Sequence, residues 1–154
     1  MSGGFETDEV FRLETNLDDC PAEVLAMAME RLINKGALDV WFTPIYMKKN
    51  RPGVMLSVLC EEGVRDALAD IILTETSAFG LRVEKIHRLK LTRHSGTVET
   101  TYGDITVKIG LKGERVVQIA PEFESCRAAA ERSGVPVRLV YDAALHAWET
   151  RPVT

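Results

Sequence analysis

The sequence predicts an α+β fold built from two units, and three observations support this prediction. Segments that alternate polar and apolar residues, as strands do, are interspersed with segments in which apolar residues recur at helical spacing. Of the 154 residues, 45% are hydrophobic and 27% are charged, which is typical of a globular protein and excludes a disordered or collagen-like chain. The pattern of segments changes near Thr92–Gly96, where we place the boundary between the units.

The first strand and the first helix are each marked by their own residues. Val10–Thr15 alternates like a strand, and Asn16–Asp19 follows as a turn. Pro21 then lies where the first turn of a helix tolerates proline. Apolar residues recur at helical spacing over Leu25–Ile33, and Gly36 ends the predicted helix.

A hairpin, a second helix and a further strand complete the first unit. Leu38–Met47 is rich in β-branched and aromatic residues, and Val54–Cys60 is a strongly apolar strand after a polar turn. Val64–Ile72 carries a second helical stripe, and Leu81–Leu91 has the pattern of another strand. The order strand, helix, strand, strand, helix, strand is that of the split βαβ, ferredoxin-like arrangement, which we assign to residues 10–92.

The second unit, over residues 97–150, is predicted to be a smaller α+β unit of a β-hairpin and two helices. Pro121 begins one helix, which ends at Gly134, and Pro136 begins the other. The apolar stripe of Val137–Trp148 has the clearest helical period in the chain. Short strand candidates are Thr97–Thr101, Ile105–Leu111 and Arg115–Ile119.

The composition also excludes several classes of protein. Residues 1–9 are expected to form a flexible leader, without the basic start and apolar stretch of a secretion signal. No apolar run approaches the roughly 20 residues that span a bilayer, and a net charge of −4 argues against a nucleic-acid partner. Cys20, Cys60 and Cys126 are far apart and odd in number, which is typical of reduced thiols in the cytoplasm.

Candidate metal ligands follow the first strand, in the segment Glu14–Asp19. Asp18 and Asp19 place two carboxylates close to the amide of Asn16, and such hard oxygen ligands suit magnesium or manganese. The same two aspartates stand just before a predicted helix, where Asp caps the N-terminus and is stabilised by the helix dipole. The residues therefore leave two interpretations open, a metal site and a helix cap.

Candidate nucleotide-binding residues lie in the turn of the predicted hairpin. Lys48, Lys49 and Arg51 place three cations within four positions, directly before Pro52 and Gly53. Arg binds phosphate in bidentate fashion and Lys binds it as a point charge, so this turn is suited to a di- or triphosphate. The alternative is a solvated hairpin turn, which commonly carries such residues.

A third candidate segment, Thr74–Arg82, lies at the end of the second helix. The hydroxyl of Ser77 and the guanidinium of Arg82 are suited to contacts with a phosphate or a sugar. The alternative is an ordinary helix C-terminus followed by glycine, here Gly80. No general catalytic motif is present in the sequence, and we assign no catalytic residue.

Three strings of residues resemble one protein family. They are ETNLDD at Glu14–Asp19, GALDVWFTPIYMKKNRPG at Gly36–Gly53 and APEFESC at Ala120–Cys126. Together they resemble the LarC family, the nickel-insertion protein that completes the nickel-pincer cofactor of lactate racemase. The string TPIYMKKNRPG is the most specific of them. The resemblance runs from about Val10 to Trp148 and is to the C-terminal domain of that protein.

The resemblance implies a CTP-dependent cyclometallase, a lyase that inserts nickel into pyridinium-3,5-bisthiocarboxylic acid mononucleotide while CTP yields CMP and pyrophosphate. Nickel is then the substrate metal, and Mn²⁺ or Mg²⁺ accompanies CTP. The N-terminal portion of the same protein is the expected partner, and the chain is expected to form a homo-oligomer. On this interpretation the nucleotide-binding residues are Lys48, Lys49, Arg51, Ser77 and Arg82, and the metal ligands are Asp18 and Asp19.

The sequence also allows two functions other than the cyclometallase, because a fold does not decide function. One is a regulatory module that binds a small molecule, and another is an oligomerisation domain that packs through Val137–Trp148.

We also expect the end of the first strand and the hairpin turn to lie at opposite edges of the sheet. A strand of about 6 residues spans roughly 17–20 Å. One subunit would then be unable to bring Asp18 and Lys48 to one triphosphate, so we expect the second unit or a neighbouring subunit to complete the site.

Overall fold

The computed structural model describes residues 3–151, which form seven strands and four helices. The helices are α1 (Ala22–Asn34), α2 (Glu62–Glu75), α3 (Phe123–Ser133) and α4 (Val137–Thr150). The strands are β1 (Glu6–Leu17), β2 (Asp39–Met47), β3 (Arg51–Cys60), β4 (Arg82–Lys90), β5 (Thr92–Thr100), β6 (Gly103–Lys112) and β7 (Arg115–Pro121). Within this described range, none of the helices combines the length and the apolar character that a membrane crossing needs.

The chain divides into two compact units, and the first has the ferredoxin-like strand order that the sequence predicts. This unit comprises Asp8–Arg88, and its strands lie in the order β2-β3-β1-β4. β3 is antiparallel to both of its neighbours, and its pairing with β1 runs from Phe11 opposite Cys60 to Leu17 opposite Val54. The predicted α+β fold class is therefore confirmed, and β1 and β3 are adjacent at the centre of the sheet.

One hydrophobic core holds the first unit together. Leu13 and Leu17 of β1 point into this core because alternate side chains of a strand face the same side. Leu32 of α1 and Leu68 of α2 are fully buried against them. Since burial of one leucine side chain stabilises a fold by about 1.5–3 kcal/mol, this core fixes the position of Leu17 and of the chain that follows it.

The second unit is a three-stranded antiparallel sheet that packs against two helices. It comprises residues 3–7 and 89–151 of the described chain, and its strands lie in the order β5-β6-β7. Val107 of β6 packs with Cys126 of α3 and Val140 of α4. Gly134 ends α3 with a left-handed φ of 64°, which glycine adopts without steric cost. Each of the three strand candidates of the second unit thus corresponds to a strand of this sheet.

The first strand is longer at its N-terminal end than the sequence indicates. β1 begins at Glu6, so residues 6–9 belong to a strand and not to the expected leader. The carbonyl of Gly4 also accepts a hydrogen bond of 2.9 Å from the backbone N–H of Gly113. The part of the expected leader formed by Met1 and Ser2 falls outside the described residues.

The segment where we expected a boundary is a strand. β5 begins at Thr92, and the two units divide after Arg88 instead. Polar residues dominate β5, and Val98 is its one buried side chain. A strand that buries so little apolar surface has a weak sequence signal, which explains why only its second half was predicted.

The cysteines are free thiols, as the sequence suggests. Burial raises the pKa of the Cys60 thiol and of the Cys126 thiol. The thiolate is the reactive form of cysteine, so neither residue is an activated nucleophile. The cytoplasmic location inferred from the cysteines stays a prediction.

Candidate functional site

Asp18 and Arg51 meet at one end of the first sheet. Because β1 and β3 are antiparallel neighbours, the residues that follow Leu17 lie beside the residues that precede Val54. Arg51 Nη1 lies 3.4 Å from Asp18 Oδ2. Our expectation that these segments lie at opposite edges of the sheet is wrong, because β3 runs between β1 and β2 and begins next to the end of β1.

The turn Lys48–Asn50 carries the other two cations of the predicted nucleotide site. It is a single 3₁₀ turn in which Lys49 and Asn50 have left-handed φ values of 60° and 55°. That conformation costs a non-glycine residue roughly 1–2 kcal/mol, and strained backbone of this kind concentrates at functional sites. In the described part of the chain, neither the Lys48 side chain nor the Lys49 side chain forms a hydrogen bond or an ion pair. Both ammonium groups are exposed and available to an anion.

A hydrogen bond joins Ser77 to Asp19. Ser77 Oγ donates to Asp19 Oδ1 over 2.5 Å, which ties the segment after α2 to the segment after β1. A cavity of about 550 Å³ lies beside this pair. Phe79, in the wall of the cavity, is wholly exposed. The remaining lining residues are Leu73, Thr76 and Ala78.

Arg82 is anchored to polar side chains of β1. Its Nη2 donates a hydrogen bond of 2.8 Å to Asn16 Oδ1, and its Nε lies 3.9 Å from Glu14 Oε2. The Glu14 side chain is only 13% exposed, and it accepts a hydrogen bond of 3.1 Å from Ser57 Oγ. The Arg82 side chain is 52% exposed, so part of its charge still faces solvent.

The helix-cap interpretation of Asp18 and Asp19 is wrong, whereas the segment Thr74–Arg82 does begin at the end of a helix. The N-cap residue of α1 is Pro21, and no side chain caps the backbone N–H groups of this helix. The C-cap residue of α2 is Thr76, in an extended conformation, and Gly80 is not left-handed. Asp18 and Asp19 are therefore free of a capping role.

The two aspartates fit a divalent ion whose other ligands are phosphate oxygens and water. Across residues 3–151, no three His, Cys, Asp or Glu side chains come together as a ready metal site. Mg²⁺ in proteins is commonly held by one or two carboxylates together with substrate phosphates. Asp18 and Asp19 match the carboxylate part of this donor set, so a metal here would need its remaining ligands from phosphate oxygens or water.

Sequence analysis missed two residues of this region. Phe79 is an apolar residue within the polar string TETSAFG, and Ser57 is a polar residue within the apolar strand β3. Each residue departs from the polar or apolar character of its segment, and this departure could have marked it as a candidate site residue. The partners of these residues were not readable from the sequence, because the Ser57–Glu14 contact depends on the pairing of β1 with β3.

Comparison with known sequences identifies relatives over most of the chain. A family model described as "Nickel insertion protein" matches residues 1–141. A "Pyridinium-3,5-bisthiocarboxylic acid mononucleotide nickel insertion protein" of Thermotoga sp. (strain RQ2) is 44% identical over 131 residues, which is 85% of this chain and 33% of that protein. A protein of the same name in Acetivibrio thermocellus is 46% identical over 136 residues, which is 88% of this chain and 33% of that protein. The chain spans about a third of the length of these curated relatives.

Solved structures with the same fold are also known. One is described as "LarC2, the C-terminal domain of a cyclometallase involved in the synthesis of the NPN cofactor of lactate racemase, apo form". It matches with a TM-score of 0.86 and 40% identity, over 94% of this chain and 100% of that chain. Protein MK0293 of Methanopyrus kandleri AV19 matches with a TM-score of 0.72 and 30% identity, over 95% of this chain and 91% of that chain.

Proposed function

The chain belongs to the nickel insertion protein family, the LarC family, and from this premise we propose that it binds CTP for the insertion of nickel into pyridinium-3,5-bisthiocarboxylic acid mononucleotide. In the proposed reaction CTP yields CMP and pyrophosphate, nickel is the substrate metal, and the product is the nickel-pincer cofactor of lactate racemase. The enzyme is then a CTP-dependent cyclometallase of the lyase class.

The contact between Arg51 and Asp18 carries this proposal. It places a cationic turn and a pair of carboxylates at one end of one sheet, as a metal-bound triphosphate requires. The contact is long, and the Arg51 side chain is 59% exposed. Exposed ion pairs contribute little, with a median of about 0–1 kcal/mol. Arg51 can therefore turn to a phosphate, and the divalent ion that accompanies the phosphate would compensate the Asp18 carboxylate, whose side chain is 19% exposed.

The chain's own residues then have distinct tasks. Lys48, Lys49 and Arg51 bind the triphosphate and hold the departing pyrophosphate, because fixed cations act most strongly where charge develops. Asp18 and Asp19 would hold Mn²⁺ or Mg²⁺. A divalent ion in that place supplies Lewis-acid polarisation of a phosphate oxygen.

The loop after α2 supports the sugar and the base. Ser77 keeps Asp19 in place through its hydrogen bond, and the exposed half of Arg82 adds positive charge. Phe79 offers a free aromatic face, and stacking of a base on such a face contributes about 1–3 kcal/mol. We therefore propose that the cytosine ring stacks on Phe79.

The relatives extend well beyond the segment that this chain matches. We propose that the N-terminal portion of such a protein is the partner of this chain in nickel insertion. We also propose that the chain works as a homo-oligomer in the cytoplasm. A binding site completed by a second copy is compatible with the contact between Asp18 and Arg51. This contact leaves the side chains of Lys48 and Lys49 without a partner among the described residues.

Calorimetric titration of the chain with CTP, with and without Mn²⁺, tests the proposed function. We expect CTP binding that depends on the metal and that weakens at least about tenfold in Lys48→Ala plus Arg51→Ala, because a hydrogen bond to a charged group contributes about 1.5–3 kcal/mol. Lys35→Ala plus Arg132→Ala is the matched control. It removes the same charge from two exposed residues outside the site and should leave CTP affinity unchanged.

The outcomes also separate the alternative functions. Absence of CTP binding in the presence of Mn²⁺ would overturn the proposal, as would equal affinity of the site variant and the control variant. Binding of an unrelated metabolite in place of CTP would favour a regulatory module. Assembly that depends on protein concentration, without nucleotide binding, would favour an oligomerisation domain.

A further inference from the structure

A second cavity lies on the sheet of the second unit, on the face opposite to its helices. Ile105 and Val107 of β6 point into the core with α3 and α4, so Lys108 and Gly110 point to the other side. The cavity on that side has a volume of about 340 Å³. Residues from all three strands and from the chain before β5 line it.

The strand pairing arranges the lining residues in two adjacent rows. Gly110 lies opposite Arg93 on one side and opposite Gln118 on the other. The next row on the same face has Lys108 opposite Ala120. Gly110 carries no side chain, Arg93 lies beside it on β5, and Lys108 lies two residues before it on β6. Arg93, Lys108 and the amide of Gln118 are thus neighbours on this face, and Lys90 also lines the cavity.

Gly110 is glycine because of close packing and not because of its backbone conformation. Its φ is not left-handed, but a Cβ atom there would lie 2.8 Å from Leu91 Cδ1 and 3.1 Å from Gln118 Cβ. Leu91 accordingly lies over Gly110 and gives the cavity an apolar wall. The base of this cavity, hereafter the slot, is therefore at this position the aliphatic side chain of Leu91 and not the backbone of Gly110.

Two polar side chains of the slot, Arg93 and Lys108, can still donate hydrogen bonds to a ligand. The side chain of Arg93 forms no hydrogen bond or ion pair with any residue in the described range. Lys108 Nζ lies 3.7 Å from Glu122 Oε1, a long and exposed contact. In the part of the chain that the structure describes, no Asp or Glu lines the cavity. The slot is therefore positively charged, and a bound anion meets no repulsion from its walls.

We propose that this slot binds a small organic anion with a flat ring and at least one carboxylate or phosphate group. The ring lies against Leu91, which covers Gly110, and burial of apolar surface there contributes about 25 cal/mol per Å². The anionic groups bind Arg93, which accepts a carboxylate in bidentate fashion, and Lys108. Gln118 donates or accepts one hydrogen bond at the ring edge. The residues of this site all belong to the second unit, whereas the nucleotide site belongs to the first.

Pyridine-3,5-dicarboxylate is the probe for this site, and only the choice of probe rests on the proposed function. Its ring and its two acidic positions correspond to the pyridinium-3,5-bisthiocarboxylic acid in the names of the relatives. We expect saturable binding of this probe to the whole chain by calorimetry or by ligand-observed NMR. In Arg93→Ala plus Lys108→Ala the affinity should fall at least about tenfold, the equivalent of one charge-assisted hydrogen bond.

Matched controls distinguish this site from general attraction of anions. Lys35→Ala plus Arg132→Ala removes equal charge elsewhere and should bind the probe like the wild type. The neutral pyridine-3,5-dicarboxamide and inorganic phosphate should both bind more weakly than the dicarboxylate, since each lacks one half of the required chemistry. Thermal unfolding of each variant verifies its fold, and both substituted residues are exposed.

The result that would overturn the inference is absence of probe binding, or equal binding by the two double variants. Equal affinity for the dicarboxamide would overturn the role of charge, and equal affinity for phosphate would overturn the role of the ring. CTP titration of the same samples tests the proposed nucleotide site of the first unit. Probe binding without CTP binding would therefore refute the proposed function and support the slot, and the reverse result would refute the slot alone.

Discussion

Gly53 lies so close to Leu17 that a Cβ atom on the glycine would stand 2.6 Å from the Leu17 carbonyl oxygen. The same atom would lie 3.0 Å from Met47 Sδ. No side chain fits at this position, so the start of β3 can approach the end of β1. This approach is what brings Arg51 to Asp18.

Gly53→Ala is therefore expected to push the start of β3 away from β1. Overpacking of this kind costs about 1–3 kcal/mol, which a urea unfolding curve measures directly. We also expect weaker CTP binding, because Arg51 follows the displacement. Gly63→Ala is the control, since a Cβ atom there meets nothing within 4 Å and Gly63 lies in a helix. Equal unfolding midpoints for Gly53→Ala and the wild type would contradict this packing argument.

The hydroxyl of Ser77 is expected to matter for metal-dependent CTP binding. Ser77→Ala removes the donor that holds the Asp19 carboxylate, and a hydrogen bond to a charged group contributes about 1.5–3 kcal/mol, which corresponds to at least about tenfold in affinity. Ser77→Thr keeps a hydroxyl and should retain most of the affinity. Ser133→Ala, at the end of α3, serves as the control. If Ser77→Ala binds CTP with Mn²⁺ as tightly as Ser77→Thr does, Asp19 needs no such support.

Phe79 is expected to discriminate between CTP and a triphosphate without a base. Loss of base stacking in Phe79→Ala should weaken CTP binding by about 1–3 kcal/mol. Binding of inorganic triphosphate should be unchanged, because that ligand has no ring. Phe123→Ala is a matched control, since Phe123 is another exposed phenylalanine, at the start of α3. A parallel loss of affinity for both ligands in Phe79→Ala would show that Phe79 acts through the structure of the loop instead.

Glu9 should make the stability of the first unit depend on pH in acid. The hydrogen bond from Lys85 lowers the pKa of the Glu9 carboxyl below its ordinary value of 4.5. A carboxyl with a lowered pKa in the folded state stabilises the protein above the pKa of the unfolded state and loses that contribution as the pH falls. The difference in unfolding midpoint between the wild type and Glu9→Gln should therefore shrink from about pH 6 to about pH 3.

Glu30→Gln provides the comparison for this pH series. Glu30 is exposed and forms no ion pair among the residues that the structure describes. We expect its midpoint to follow that of the wild type at each pH. A constant difference between Glu9→Gln and the wild type over the whole series would show that the Lys85 contact does not couple folding to pH.

The secondary structure was largely predictable because each element carries its own local signals. Pro21 and Gly134 mark a helix start and a helix end, and both are observed within a residue of the expected position. The strands that bury one apolar face, such as β3, were found for the same reason. β5 was found only in part, because a strand with one buried side chain lacks the alternation that identifies a strand.

Residue types and their order along the chain were sufficient to select the candidate groups of the site and the family. They were insufficient to show which of those groups meet. Asp18 and Arg51 are 33 positions apart, and Asp19 and Ser77 are 58 positions apart. Their contacts depend on the antiparallel pairing of β1 with β3 and on the return of α2 to the end of β1. Such pairings result from burial of a shared core, a property of the whole unit that no local segment encodes.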